Sequence, residues 1–241
     1  MFDFLRRALS HPRDYWRVFC WRRLTLVRQE KHGEGIYSFI FKKPEGLTWK
    51  AGQHGVWWFF DFALSGKNWR AFSIASSVHE NEIRISTNIP AEPSAFKQKL
   101  LALKAGDSIW LQGPFGEFHV HHYHQSIGIA GGIGITPFRA IAYELAMGHC
   151  TERSLQLIYS ARNEYTFKAE LDAWMASSPQ FHVTYIHTPE EVQTALQQAI
   201  TERGKVTPVL LSGSPGMITA LTKSCHDQGV TKVVSDPFKG Y

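Results

Sequence analysis

Ile127-Gly128-Ile129-Ala130-Gly131-Gly132-Ile133-Gly134-Ile135-Thr136-Pro137-Phe138-Arg139 is the stretch on which the reading of this chain turns. A short apolar run, Ile127 to Ala130, ends in glycines, as a buried parallel strand does. Gly131, Gly132 and Gly134 carry no Cβ, so the backbone there can turn tightly and lie against a ligand. Thr136 is placed to cap a helix, and Pro137 to take its first position, where a missing N–H costs nothing. Arg139 to Met147 continues as that helix, with Ile141 and Leu145 on one face. A glycine turn feeding a helix N-terminus suits a phosphate, because free N–H groups and the positive end of the dipole point the same way. An ordinary strand–turn–helix connection looks similar, and the glycines depart from the strict G-x-G-x-x-G spacing with its acidic residue on the next strand.

From Gln125 onward, strands alternate with helices. The pattern predicts strands at 127–130, 155–159, 182–186, 209–211 and 232–234, and helices at 137–147, 168–175, 190–200 and 216–226. Such alternation means a parallel sheet with helices on both faces, here an α/β domain over 125–241. Ligands bind these sheets beyond the carboxyl ends of the strands, where the loops 131–137 and 212–217 fall.

Before Gln125 the pattern is β. Short strands are predicted at 24–27, 35–41, 54–60, 82–87 and 108–112, separated by turns such as Lys43-Pro44-Glu45-Gly46 and Ala105-Gly106-Asp107. One helix, 94–104, begins at Ser94 and puts Phe96, Leu100 and Leu103 on one face. Strands at this spacing predict a small antiparallel β-barrel over 24–122.

Residues 1–23 form a basic, aromatic arm. Six arginines are interleaved with Phe2, Phe4, Leu5, Tyr15, Trp16, Phe19 and Trp21, and Asp3 and Asp14 are the only acids. Such an arm suits an anionic membrane surface or an acidic partner, but His11-Pro12 breaks any continuous helix. Packing on its own domain through the aromatics is the favoured alternative. Between the halves, His119, His121, His122 and His124 invite a metal, yet no carboxylate or cysteine stands beside them in sequence, so a solvated linker without metal is expected.

Composition narrows the classes. The chain has 241 residues, 44% hydrophobic and 20% charged, which suits a globular protein with one large core or two modest ones. A net charge of +5 suits an acidic partner and is too mild to imply nucleic acid. Cys20, Cys150 and Cys225 are far apart and form no CxxC pair, which argues against a disulfide framework, a zinc site or a Cys-ligated iron–sulfur cluster. No apolar run is long enough to span a membrane and no signal peptide is evident, so a cytoplasmic monomer is expected, membrane-peripheral if the arm binds lipid.

Arg70-Ala71-Phe72-Ser73-Ile74-Ala75-Ser76-Ser77 is the second informative stretch. Arg70 offers a planar fork for a phosphate, Phe72 a face for stacking, and Ser73 and Ser76 hydroxyls. Taken alone it is a strand with one inward aromatic. Taken with its neighbours, it resembles the ferredoxin–NADP reductase superfamily, and its plant-type members closely. Arg70 to Ser77 match that family's R-x-Y-S-I-A-S-S run except at Phe72. Ser94-Ala95-Phe96 stands where the family binds the FAD pyrophosphate. Gly106-Asp107 and Gly113-Pro114-Phe115-Gly116 match its barrel-closing run. Gly132 to Arg139 match G-x-G-I-A-P-F-R with Thr136 for alanine. Ser212-Gly213-Ser214-Pro215-Gly216-Met217 stands for C-G-x-x-x-M, and Asp236-Pro237-Phe238 for the C-terminal acid-x-aromatic.

The resemblance implies a flavoprotein with FAD on the barrel and NADH or NADPH on the parallel-sheet domain. Hydride transfer needs the nicotinamide C4 about 3–3.5 Å from flavin N5, so the protein's task is orientation. By the resemblance, Arg70, Phe72, Ser73, Ser76 and Ser94 hold FAD, with Ser73 near N5. Gly132, Gly134, Thr136, Pro137, Gly213 and Met217 hold the nucleotide. Ser212 and Asp236 flank the nicotinamide, and Phe238 or Tyr241 covers the flavin until the nicotinamide displaces it. Ser212 for cysteine implies slower hydride transfer. The choice between NADH and NADPH stays open. His187-Thr188 follows the third strand of this domain without an arginine, whereas Arg162 after the second strand could take a 2′-phosphate. The implied acceptor is a separate acidic carrier, ferredoxin or flavodoxin. The alternatives are a small acceptor (free flavin, a ferric chelate or a quinone) or a non-catalytic nucleotide-binding component of a larger complex.

Overall fold

Period-two alternation builds the first half of the chain. In β1 (Trp21–His32), Leu24 and Leu26 are buried while Arg22, Arg23 and Thr25 between and before them are exposed. The computed structural model describes residues 10, 12–61 and 66–236. Contacts divide the chain into two compact units, Met1–Glu117 and Phe118–Tyr241.

The first unit is a six-stranded antiparallel sheet in the order β4-β3-β6-β1-β2-β5. Its other strands are β2 (Ile36–Lys42), β3 (His54–Trp58), β4 (Trp69–Ser73), β5 (Glu82–Asn88) and β6 (Ser108–Phe115). The two edges meet just beyond β4, where Ala75 N–H donates to the Arg84 carbonyl at 2.8 Å. Phe39, Phe41, Trp57, Ile83, Ile85, Ile109 and Leu111 fill the interior. One helix, α1 (Ala95–Ala102), plugs it with Phe96 and Leu100, both fully buried; the Phe96 ring lies 5.0 Å from that of Phe59. Burying each such side chain stabilises the fold by about 1.5–3 kcal/mol.

The arm expected over 1–23 ends earlier, because Trp21–Arg23 already belong to β1 and pair with β6 (Trp21 with Gln112, Arg23 with Trp110). Exposed arginines on an outward strand face carry the same signature as a solvated arm, which is why the sequence hides them. Upstream, a helical turn (Pro12–Tyr15) and a 3-10 turn (Trp16–Phe19) pack on the barrel. Tyr15 is buried 6.0 Å from the Phe115 ring, and Gln112 Nε2 donates to the Val18 carbonyl at 2.8 Å. Among the described residues, the arm therefore packs on its own domain.

The second unit is a five-stranded parallel sheet, β7 (Gln125–Gly131), β8 (Ser154–Ser160), β9 (Phe181–Ile186), β10 (Val209–Ser212) and β11 (Val233–Ser235), in the order β11-β10-β7-β8-β9. Four helices cover it: α2 (Thr136–Ala146), α3 (Lys168–Ser177), α4 (Pro189–Arg203) and α5 (Pro215–Asp227). Ile127, Ile129, Ile158 and Leu211 pack on one face against Val192 and Leu196 of α4 and Leu221 and Cys225 of α5. The opposite face meets α2, where a Cβ on Gly128 would lie 2.6 Å from the Phe138 ring. Helix α4 starts before the expected 190 because Thr188 and Glu191 form a reciprocal capping box around Pro189.

The solvated linker expected over 119–124 is solvated only in part: His122 and His124 are exposed, whereas 118–120 are buried. Phe118 and Val120 are 2% exposed and His119 is fully buried, and Phe118 packs edge-on against Phe138 at 5.3 Å. Its alternating apolar residues anchor it to the second unit, and the division of the chain falls before it, at Glu117, rather than at 122.

Candidate functional site

In the parallel sheet the chain leaves β7 toward β8 and β9, then returns to the other side of β7 as β10. The carboxyl ends of β7 and β10 are thus the switch point of the sheet, where diverging connections leave a crevice for a ligand. The loops 131–135 and 213–214 leave those ends and lead into α2 and α5.

Glycines let these loops touch backbone to backbone. A Cβ on Gly134 would lie 2.3 Å from the Ser212 carbonyl oxygen, and one on Gly131 would lie 2.4 Å from Met217 Sδ. Gly132 differs: space around it is open, but its φ of +53° is one that favours glycine. The backbones at 131–134 and 212–213 thus meet just before α2 and α5, each of which carries the positive end of its helix dipole there. Ser214 caps α5, its hydroxyl accepting from Met217 N–H at 3.4 Å, and Pro215 enters the first turn.

Thr136 does not cap α2 as its place in the sequence predicts. A 3-10 turn, Gly132–Ile135, runs directly into the helix, so Ile135 is the cap and Thr136 is already helical. Its hydroxyl turns back and donates to the Ile133 carbonyl at 3.1 Å. Pro137 sits in the first turn as expected.

The structure brings Ser212 and Asp236 together. Both are buried, and Ser212 Oγ donates to Asp236 Oδ2 at 3.3 Å. Asp236 is held at the end of β11 by its own N–H, which donates to the Leu211 carbonyl at 2.9 Å. At the far side of the crevice Arg162 is exposed just after β8. Three residues on, the Tyr165 ring lies 4.7 Å from Tyr185 and 5.3 Å from His187, an aromatic ledge hidden in the sequence because Tyr165 follows β8 whereas Tyr185 and His187 lie at the end of β9 and just after it.

The first unit presents a second set of groups. Arg70 is buried on β4; its Nη1 donates to the Trp69 carbonyl at 2.8 Å and its guanidinium lies over the Phe96 ring at 5.5 Å. Phe72, half-buried on the same strand, has its ring 6.1 Å from that of Phe96. Ser94 precedes α1, and its exposed hydroxyl makes no capping bond to the helix. Lys97, in the first turn of α1, is a candidate residue that sequence reading missed. It is buried, its Nζ donates to the Asn88 carbonyl at 2.7 Å, and its pKa is lowered by burial and then by the charge of Arg70. Two mutually repelling buried cations beside a helix N-terminus are a donor set that fits a pyrophosphate. The available signal was its spacing, three residues after Ser94.

Ser73 is buried at the end of β4, opposite His54 of β3. Ser76 does not present its hydroxyl to a ligand. It is fully buried, donates to the Glu82 carbonyl and accepts from Arg84 N–H, both at 2.9 Å, and so closes the barrel seam. Phe238 and Tyr241 lie outside the described residues.

Residues 129–223 match the family described as the oxidoreductase NAD-binding domain. Dual oxidase 1 from Homo sapiens is 27% identical over 132 residues, which are 51% of this chain and 8% of that protein. A component of the Na(+)-translocating NADH-quinone reductase from Haemophilus influenzae is 28% identical over 199 residues, 71% of this chain and 48% of that component. The chain thus spans less than half the length of these relatives. A ferredoxin NADP+ reductase from Neisseria gonorrhoeae, solved with bound FAD and NADP, superposes with a TM-score of 0.69 at 19% identity, over 90% of this chain and 98% of that one. Residues 129–223 are thus similar to the oxidoreductase NAD-binding domain, and the chain shares the fold of that ferredoxin NADP+ reductase.

Proposed function

We propose that this chain is an FAD-dependent NAD(P)H oxidoreductase that passes electrons to a separate acceptor. The observation that carries the reading is the glycine-lined crevice between β7 and β10, with two helix N-termini and the Ser212–Asp236 pair at its mouth. FAD, when bound, takes a hydride from a nicotinamide and releases the electrons to the next carrier.

The chain's own residues have the following tasks in this reading. Backbone N–H groups at 132–135 and the α2 dipole bind the nucleotide pyrophosphate, which Gly132 and Gly134 permit by leaving the backbone bare. Ser212 and Asp236 orient the nicotinamide as a hydrogen-bonded pair, and Gly213 and Met217 shape the wall beside it. Tyr165 offers a face to the adenine. Arg70, Lys97 and Ser94 bind the FAD phosphates. Phe72 packs on the flavin ring, Ser73 offers a hydroxyl to it, and Phe238 or Tyr241 covers its other face. The test of the whole is whether the purified chain carries FAD and whether NADH or NADPH reduces it in the absence of oxygen.

Arg162 is the candidate for a 2′-phosphate, and the choice between NADH and NADPH turns on it. Arg162→Ala is then expected to raise KM for NADPH about tenfold or more and leave NADH nearly unchanged, since a charge-assisted contact contributes about 1.5–3 kcal/mol. Equal effects on both nucleotides in steady-state assays remove Arg162 from that role.

The net charge of +5 supports an acidic protein acceptor such as a ferredoxin or flavodoxin. Reduction of such a carrier is expected to slow as salt rises, because exposed charges are screened over about 8 Å at 0.15 M ionic strength. Fast, salt-independent reduction of free flavin, a ferric chelate or a quinone identifies a small acceptor instead.

A further inference from the structure

The histidine segment meets the missing ligand types in space rather than in sequence. Glu144, two turns into α2, is 3% exposed. His121 reaches it from the segment before β7, and Cys150 from the turn after α2. Glu144 Oε2 lies 3.5 Å from His121 Nε2 and 3.6 Å from Cys150 Sγ, and the three donor atoms all lie within 4.8 Å of one another. Around a tetrahedral zinc, bond lengths of about 2.0–2.3 Å place neighbouring donors about 3.3–3.6 Å apart. Two of the three edges already have that length. His121 Nε2 is buried, and its approach to Glu144 lacks hydrogen-bond geometry.

We propose that His121, Glu144 and Cys150 form a three-ligand site for a divalent metal of borderline softness, zinc above all, with water in the fourth position. The donor set gives the selectivity. Calcium and magnesium take oxygen ligands, whereas imidazole with a thiolate suits zinc and its late first-row neighbours. On binding, the S–H bond of Cys150 is replaced by an S–metal bond and the proton passes to the buffer. The His121 side chain is one-third exposed, so the cluster lies near the surface of the unit. The His119 ring, 5.5 Å from His121 and 4.8 Å from His122, backs the site with further imidazole.

This site is separate from the nucleotide crevice. Glu144 follows Thr136 by eight residues, about 12 Å along the helix axis. A metal there would join the entry of β7, the body of α2 and the turn at 147–153, so its role is structural, holding the central strand of the sheet to the helix that presents the nucleotide loop. The cluster has an alternative without metal, in which the Cys150 thiol simply donates a hydrogen bond to Glu144 Oε2.

The full chain, stripped with a chelator and dialysed against zinc, decides between them. The expected result is about one zinc per chain after gel filtration, one sulfur neighbour in zinc-edge X-ray absorption, and a raised unfolding temperature. Cys150→Ser and His121→Gln should each weaken zinc binding about tenfold or more, while His124→Gln leaves it unchanged. Absence of retained zinc, or zinc without a sulfur neighbour, overturns the proposal, as does equal zinc affinity in the wild type and the His121→Gln variant. Should Cys150→Ser fold poorly, the sulfur count on the wild type and the His121→Gln titration still decide.

Discussion

Gly134→Ala is expected to abolish tight nucleotide binding while leaving the barrel unit intact. The added methyl would lie 2.3 Å from the Ser212 carbonyl oxygen and 2.8 Å from Gly213 N, both backbone atoms that cannot rotate away. The two loops at the switch point must therefore separate, which costs about 1–3 kcal/mol of stability as overpacking does. The same separation disturbs the backbones that lead into α2 and α5, so NAD(P)H affinity should fall at least about tenfold, about 1.4 kcal/mol or more. Gly132→Ala is the informative companion. Its methyl would meet nothing within 4 Å, and only the φ of +53° resists it, at about 1–2 kcal/mol. Isothermal titration with NADPH and thermal unfolding separate the two variants. Full nucleotide affinity in Gly134→Ala would remove the crevice from the proposed site.

Arg70→Ala is expected to release the flavin. A charge-assisted contact to a phosphate contributes about 1.5–3 kcal/mol, so FAD should bind about 10- to 150-fold more weakly. Arg70 also packs over Phe96, so part of any loss of stability is loss of packing rather than charge. Lys97→Met separates the two. It keeps the buried aliphatic volume and removes a charge that burial and the neighbouring Arg70 both disfavour. FAD affinity should fall while the flavin-free protein unfolds no earlier than the wild type. A flavin content unchanged in both variants, measured by absorbance after gel filtration, would place the phosphates elsewhere.

Much of this architecture is legible in the sequence because burial follows period. Strands β2, β5 and β7–β10 and the helices behind them announce themselves by apolar spacing and by capping residues. Motif order singles out Ser212 and Asp236 separately, but their hydrogen bond across 24 residues is visible only in the structure. What hides is whatever depends on the third dimension. The start of β1 reads as an arm because its outward arginines satisfy either description. Ser76 reads as a ligand group because its motif is rich in hydroxyls, yet closing the barrel consumes that hydroxyl. Lys97 is concealed among the ordinary lysines of an amphipathic helix until Arg70 is placed beside it. His121 stands in sequence among histidines alone, and only the packing of 118–120 on α2 carries it to Glu144 and Cys150. Thr136 loses its capping role to a 3-10 turn whose presence glycine-rich spacing does not reveal.

The most direct test of the central claim is anaerobic reduction of the reconstituted protein. The purified chain is incubated with FAD, freed of unbound flavin, and mixed with NADH or NADPH without oxygen while the flavin absorbance is followed. The account predicts a yellow protein that releases FAD on denaturation, identified by mass, and whose absorbance bleaches with at least one of the two nucleotides. A protein that stays colourless after reconstitution, that releases FMN, or whose flavin keeps its full absorbance with both nucleotides would contradict it.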